Sequence, residues 1–181
     1  ELYGVTGHRN MLDAARRALR WCVREAPAVP QERRAGFMNG GLGVAYVLCR
    51  AYDLTGEEMF LAQARTLALE LVAGQARWPI CDLLSGLAGT ILVLAHVESR
   101  FADHSLAQAR ERLLHELIGR SRAHRTGIFW DASPRWALPL CGMAHGPSGI
   151  AFVLSELLGS STTAPDHPLR TLIRDAFAYE D

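Results

Sequence analysis

The pattern of hydrophobic and polar positions changes character at regular intervals along the chain. Residues 44–48, 90–94 and 150–154 lie in runs that are apolar on nearly every side, and each run follows a Gly-x-x-Gly core. The three cores are Gly40-Gly41-Leu42-Gly43, Gly86-Leu87-Ala88-Gly89 and Gly146-Pro147-Ser148-Gly149. Between the runs, apolar residues recur at i, i+3, i+4 and i+7 with Arg, Glu and Gln opposite them, the pattern of a helix with one wet face. The pattern predicts an all-α fold in which inner helices, shielded by neighbours, alternate with outer helices that keep one side in water.

Repetition of short segments supports this alternation. Leu61-Ala62-Gln63-Ala64-Arg65 returns as Leu106-Ala107-Gln108-Ala109-Arg110, 45 residues later. Tyr3-Gly4-Val5-Thr6-Gly7 returns as Tyr52-Asp53-Leu54-Thr55-Gly56, 49 residues later, and Ala15-Arg16 returns as Ala64-Arg65 at the same offset. The first glycines of the cores are 46 residues apart (Gly40 to Gly86) and then 60 (Gly86 to Gly146). Residues 168–179 read as a further outer helix, with Ala176 where Ala64 and Ala109 sit. The expected organisation is one incomplete domain over 1–181, with repeats at approximately 1–35, 36–80, 81–140 and 141–181, taken from a longer array. Helix pairs with a period of about 50 residues build either a stacked solenoid or a closed α/α toroid. Glycine at the start of every inner helix permits positive φ in the preceding turn and close backbone approach, and such convergence at one rim favours the toroid. Loops are expected at 26–36, 74–79, 121–140 and 159–168, where Pro and Gly cluster. The longest carries Trp130, Asp131, Pro134 and Trp136 and runs into the His145 core.

Composition narrows the function classes. With 181 residues and 49% hydrophobic content the chain can bury a core. Lys plus Arg (19) equals Asp plus Glu (19), so no bulk field recruits nucleic acid or an anionic membrane. No apolar run approaches the ~20 residues that cross a bilayer, and no signal peptide is visible, so a soluble, cytoplasmic protein is expected. Cys22, Cys49, Cys81 and Cys141 show no CxxC pairing and are expected to be reduced and mostly buried.

Candidate chemistry sits at the leading ends of the inner helices, where partial positive charge and free N–H groups face a shared mouth. The residues before each first glycine are Asn39, Ser85 and His145, and Asp82 lies four positions ahead of Gly86. An imidazole titrates at about 6.5, which suits His145 to general acid or base work. A capping or packing histidine is the other reading. Asp82 taken alone reads as a helix cap worth ~1 kcal/mol. A metal site built from Cys81, Cys141 and His145 is weakly signalled, because free Cys is usually a buried apolar residue. His8, His96, His104, His115, His124 and His167 show no pairing and take no role. Trp78, Trp130 and Trp136 either line a peptide-binding mouth or plug loops onto the barrel.

These motifs resemble a known family. Gly36-Phe37-Met38-Asn39-Gly40-Gly41-Leu42-Gly43, Asp82-Leu83-Leu84-Ser85-Gly86-Leu87-Ala88-Gly89 and Gly142-Met143-Ala144-His145-Gly146-Pro147-Ser148-Gly149-Ile150 are similar, in order and spacing, to successive motifs of the lanthionine synthetase C-like cyclases. The resemblance runs over essentially the whole chain and is closest to the C-terminal cyclase domain of class II, bifunctional lanthipeptide synthetases. It implies an α/α toroid, here about half of the ring. The implied activity adds peptide cysteine thiols to dehydroalanine or dehydrobutyrine, closing thioether rings in a precursor peptide made of leader and core. His145 matches the family's acid that protonates the resulting enolate, and Asp82 matches its paired carboxylate. In the family, zinc holds the attacking thiol through a Cys and a later adjacent Cys-His pair. No Cys-His dipeptide occurs in this chain. The resemblance therefore places the zinc ligands of the parent protein outside this chain, and the fragment alone is expected neither to bind catalytic zinc nor to cyclise peptides. A non-catalytic helical-repeat scaffold that holds a peptide at the rim is the competing expectation. Carbohydrate-active or terpenoid-cyclising α/α barrels call for paired carboxylates or Asp-rich motifs at the mouth, and none is visible.

Overall fold

The computed structural model describes residues 2–75, 77–131, 138–159 and 166–180, leaving aside the Glu32 side chain. Along the chain lie α1 (Leu2–Thr6), α2 (Arg9–Glu25), a 3₁₀ turn (Ala26–Ala28), α3 (Gln31–Arg34), α4 (Gly41–Thr55) and α5 (Glu58–Ala73). They are followed by α6 (Leu87–Glu98), α7 (His104–Gly119), a hairpin of β1 (Arg122–Ala123) and β2 (Ile128–Phe129), α8 (Pro147–Gly159) and α9 (Pro168–Glu180). Among the described residues no helix is long and apolar enough to cross a membrane.

The architecture is the all-α, two-layer arc expected of an α/α toroid. Helices α4, α6 and α8 form the inner row, and α2, α5, α7 and α9 the outer row; α5, α7 and α9 each pair with the inner helix that precedes them, while α2 packs on α4. Helix α6, with an inner neighbour on each side, carries Leu87, Ala88, Ile91, Val93, Leu94 and Val97 at 0% exposure. The flanking inner helices are less enclosed, leaving Val47 and Phe152 exposed. Shielding is therefore greatest at α6, which exposes no residue although Leu92, Ala95, His96 and Glu98 are only half-buried, and is less at its neighbours.

The repeat seen in sequence is a repeat of hydrogen bonds. Gly56 ends α4 in the left-handed region (φ 70) with its N–H on the Tyr52 carbonyl at 2.7 Å, and Gly7 ends α1 the same way (φ 68), bonded to Tyr3 at 2.8 Å. Thr55 and Thr6 each return a hydroxyl to the carbonyl four residues back, at 2.8 and 2.7 Å. Helix α1 thus ends as α4 does. Outer helices are linked in kind, since Arg16 of α2 pairs with Glu57 ahead of α5, and Arg65 of α5 pairs with Asp103 ahead of α7.

Two expected loops contain structure. Residues 26–36 hold the 3₁₀ turn and α3. Within 121–140, Gly127 turns a short antiparallel hairpin onto α9, so close that a Cβ there would meet the Asp175 carbonyl oxygen at 2.1 Å. Trp130 plugs this segment onto the barrel at 1% exposure, its Nε1–H donating to the Leu117 carbonyl at 2.7 Å. Trp78 is likewise buried. Pro134 and Trp136 lie outside the described residues. Of the cysteines, all free, Cys49 and Cys81 are buried, whereas Cys22 is half-buried and Cys141 is exposed, correcting the expectation of a mostly buried set.

Candidate functional site

The site is made by the turns that lead into α4, α6 and α8. Each turn folds back so tightly that its second glycine lies under the carbonyl six residues before it. A Cβ at Gly43, Gly89 or Gly149 would meet the oxygen of Phe37, Leu83 or Met143 at 2.2, 2.1 or 2.0 Å. No real Cβ contact is so short, so the sequence can place only glycine there. The first glycines are confined too: a Cβ on Gly86 would lie 2.6 Å from the Asp82 nitrogen. Positive φ is not the reason, since Gly40 and Gly86 are extended (φ −142 and −109). Of the three turns only the one ahead of α8 uses the left-handed region, at Gly142 (φ 89).

Neighbouring turns interlock. The Met38 N–H donates to the Leu84 carbonyl at 2.8 Å, and Asn39 Nδ2 donates to Ser85 Oγ at 2.8 Å. Phe37 lies against Gly89, and Leu83 against Gly149, the equivalent contact one unit on. The inner helices therefore bring their leading ends to one rim.

At that rim Asp82 and His145 meet. Asp82 is 2% exposed, and its Oδ1 accepts the Ser85 N–H at 2.8 Å. This bond closes the turn before α6; the helix cap position itself is Gly86, without a side-chain cap. Asp82 is therefore a turn-forming carboxylate and not the helix cap expected of it alone. Its other oxygen, Oδ2, lies 2.5 Å from His145 Nδ1. A carboxylate only accepts, so Nδ1 carries the proton and Nε2 is left for other partners. The two side chains differ sharply in environment, at 3% exposure for Asp82 and 46% for His145. Burial of a carboxylate is costly unless it is paired, and no Lys or Arg pairs with Asp82 among the described residues. The imidazole and one backbone N–H satisfy it.

The loop bearing His145 is fixed from a direction that no motif announced. Glu180, at the end of α9, accepts the Gly142 N–H at 2.9 Å, the Ser148 N–H at 3.0 Å and the Ser148 hydroxyl. Burial alone would raise the Glu180 carboxyl, but these hydrogen bonds outweigh it and hold it below the usual range. The only sequence signal was an acidic residue at the end of an outer helix, which is too common to single out.

The cysteines offer no zinc centre. Burial pushes the Cys81 thiol up, opposing the thiolate a metal needs, and its neighbour is the Arg120 guanidinium at 4.0 Å. Among the described residues no group of three or more His, Cys, Asp or Glu is placed to hold a metal ion. The described residues of this chain therefore do not fit the zinc site that the resemblance implies.

No curated protein matches the chain. The family model described as lanthionine synthetase C-like protein matches residues 1–181, the whole of the chain. Repeated helix pairs, glycine-locked turns at one rim and a full-length family match agree, and the chain belongs to the lanthionine synthetase C-like protein family.

Proposed function

We propose that this chain is the part of a lanthionine-forming cyclase that delivers the proton in thioether ring closure. In that reaction a cysteine thiolate of the precursor peptide adds to the β-carbon of dehydroalanine or dehydrobutyrine. The displaced π electrons form an enolate, and a proton must then reach the α-carbon. His145, protonated on both ring nitrogens beside the Asp82 carboxylate, supplies that proton from Nε2, is left as the neutral Nδ1–H form, and regains an Nε2 proton from solvent. Asp82 fixes the tautomer by accepting Nδ1–H and orients the ring, and its own orientation is fixed by the Ser85 N–H. The observation that carries the reading is the buried carboxylate aimed at a half-exposed imidazole on the rim. A peptide-holding scaffold has no need for this pair.

Activation of the thiol, by zinc as the family resemblance suggests, is assigned to residues outside this chain. A class II synthetase acting in the cytoplasm on a leader-bearing precursor is the setting in which we place it. The test is His145→Ala in the complete protein. Loss of ring closure with retained peptide binding supports the cyclase reading, whereas unchanged ring closure favours the scaffold.

A further inference from the structure

The turn that presents His145 is tied within itself by fewer bonds than its equivalent one unit earlier, with the Gly146 N–H on the Gly142 carbonyl at 2.9 Å among its own ties. Ahead of α6, the N–H groups of Leu87, Ala88 and Gly89 donate to the carbonyls of Ile80, Cys81 and Asp82 at 3.1, 3.1 and 3.3 Å. The Asp82 carboxylate also closes that turn on Ser85. Sixty residues later, Pro147 stands at the place of Leu87 and has no N–H to give, and Gly142 stands at the place of Asp82 and has no carboxylate. The Ser148 N–H, equivalent to that of Ala88, donates to Glu180 and not to Cys141. Both kinds of support missing from the third turn are thus supplied by one carboxylate from another helix.

We infer that Glu180 is a positioning residue for His145, clamping both sides of the 142–148 turn so that the imidazole stays on Asp82 while its Nε2 faces the peptide. The inference rests on reading His145 as the proton donor. Gly142 and Ser148 each lie three residues from His145, on opposite sides, so one carboxylate fixes both ends of the segment that carries the ring. The clamp itself is well placed. Tyr179, beside Glu180, packs against His124 and Phe129 of the hairpin at ring-centroid distances of 5.1 and 5.2 Å. Gly127 lets the hairpin touch the α9 backbone, where a Cβ would lie 2.7 Å from the Tyr179 nitrogen. The 121–131 segment therefore holds α9, α9 holds Glu180, and Glu180 holds the turn. Gly142, in the left-handed region, is tied within the turn by accepting the Gly146 N–H at 2.9 Å, and a Cβ on it would meet nothing within 4 Å.

The test compares Glu180→Ala, Glu180→Gln and Ser148→Ala in the complete protein, with kcat for ring closure and Kd for the precursor peptide measured separately. The Nδ1–H proton resonance of His145 is followed by NMR in the same variants. Displacement of a reacting group by about 1 Å costs up to ~100-fold, so Glu180→Ala is expected to lower kcat about 10- to 100-fold with Kd unchanged. Gln keeps an oxygen for both N–H groups, so Glu180→Gln should recover most of kcat. The His145 resonance should shift or broaden in Glu180→Ala and return in Glu180→Gln. Wild-type kcat and an unmoved resonance in Glu180→Ala overturn the inference. If that variant does not fold, Ser148→Ala decides on the same readouts, a few-fold loss of kcat being expected and none overturning it. Should the resonance move in Glu180→Ala while His145→Ala leaves ring closure intact, the clamp stands and the proton-donor reading fails.

Discussion

Adding one methyl group at Gly149 is expected to damage both fold and site, and the structure sets the size of the effect. The new Cβ would lie 2.0 Å from the Met143 carbonyl oxygen and 3.2 Å from Leu83 Cβ. An ordinary contact needs more than 3 Å, so the backbone at Met143 must retreat by about 1 Å, and no side-chain rotation relieves it. Overpacking against rigid groups costs about 1–3 kcal/mol and sometimes more, partly offset by the ~1 kcal/mol by which Ala outranks Gly inside a helix. Because the clash is with backbone, the upper end of that range applies, and we expect a net loss of about 2 kcal/mol, or a Tm lower by about 4–8 °C for a chain of this size. Gly119→Ala and Gly159→Ala are the controls. Both glycines are the last residues of their helices, and a Cβ there meets nothing within 4 Å. Those substitutions should be neutral or stabilising by up to ~1 kcal/mol. Thermal and urea unfolding followed by circular dichroism separates the cases. If Gly149→Ala is as stable as Gly119→Ala, close backbone approach is not why glycine recurs in these turns.

Other perturbations probe the packing and a buried base. Trp130→Ala removes a side chain at 1% exposure and should cost about 3–5 kcal/mol, whereas Trp130→Phe, which loses the bond to Leu117 and part of the buried ring but keeps a benzene ring, should cost less, about 1–3 kcal/mol, in the same unfolding assay. His96 stacks on Tyr46 with ring centroids 4.4 Å apart, and its buried Nε2 has no hydrogen-bond partner among the described residues. Burial first, then the nearby Arg100 charge, push it down to about 4. The unfolded chain binds that proton at about 6.5, so between those values the unfolded state holds more protons and stability rises with pH. Urea midpoints should therefore fall as pH drops from about 6.5 towards 4, and His96→Leu should flatten that slope; an equal slope in the variant contradicts the assignment.

How far the sequence could be read depended on whether a feature was local or repeated. Inner and outer helices were legible because 3.6-residue periodicity and Gly-x-x-Gly cores recur, and repetition turns weak local signals into register. That register is also why Asp82 and His145 could be matched to one rim. The reason for the glycines was only half legible, since close approach and positive φ both select Gly and only coordinates separate them. Asp82 illustrates a second limit. Its spacing to Ser85 is that of a turn, but which of its oxygens remained free, and what that oxygen reached, depended on how adjacent units pack. Glu180 was invisible because its partners lie 32 and 38 residues away and no motif joins them. Trp130 as a plug and Cys141 as an exposed thiol depend likewise on how the segment before α8 folds back.

The central claim is that the imidazole held by Asp82 hands a proton to the α-carbon. It is met most directly by running ring closure in D2O with the complete protein, comparing wild type with His145→Asn. The wild type should place deuterium at the α-carbon in a single configuration. The variant should close rings far more slowly, or give both configurations as solvent takes over the delivery. Rings formed at the wild-type rate, deuterated in the same single configuration without the imidazole, would contradict the account.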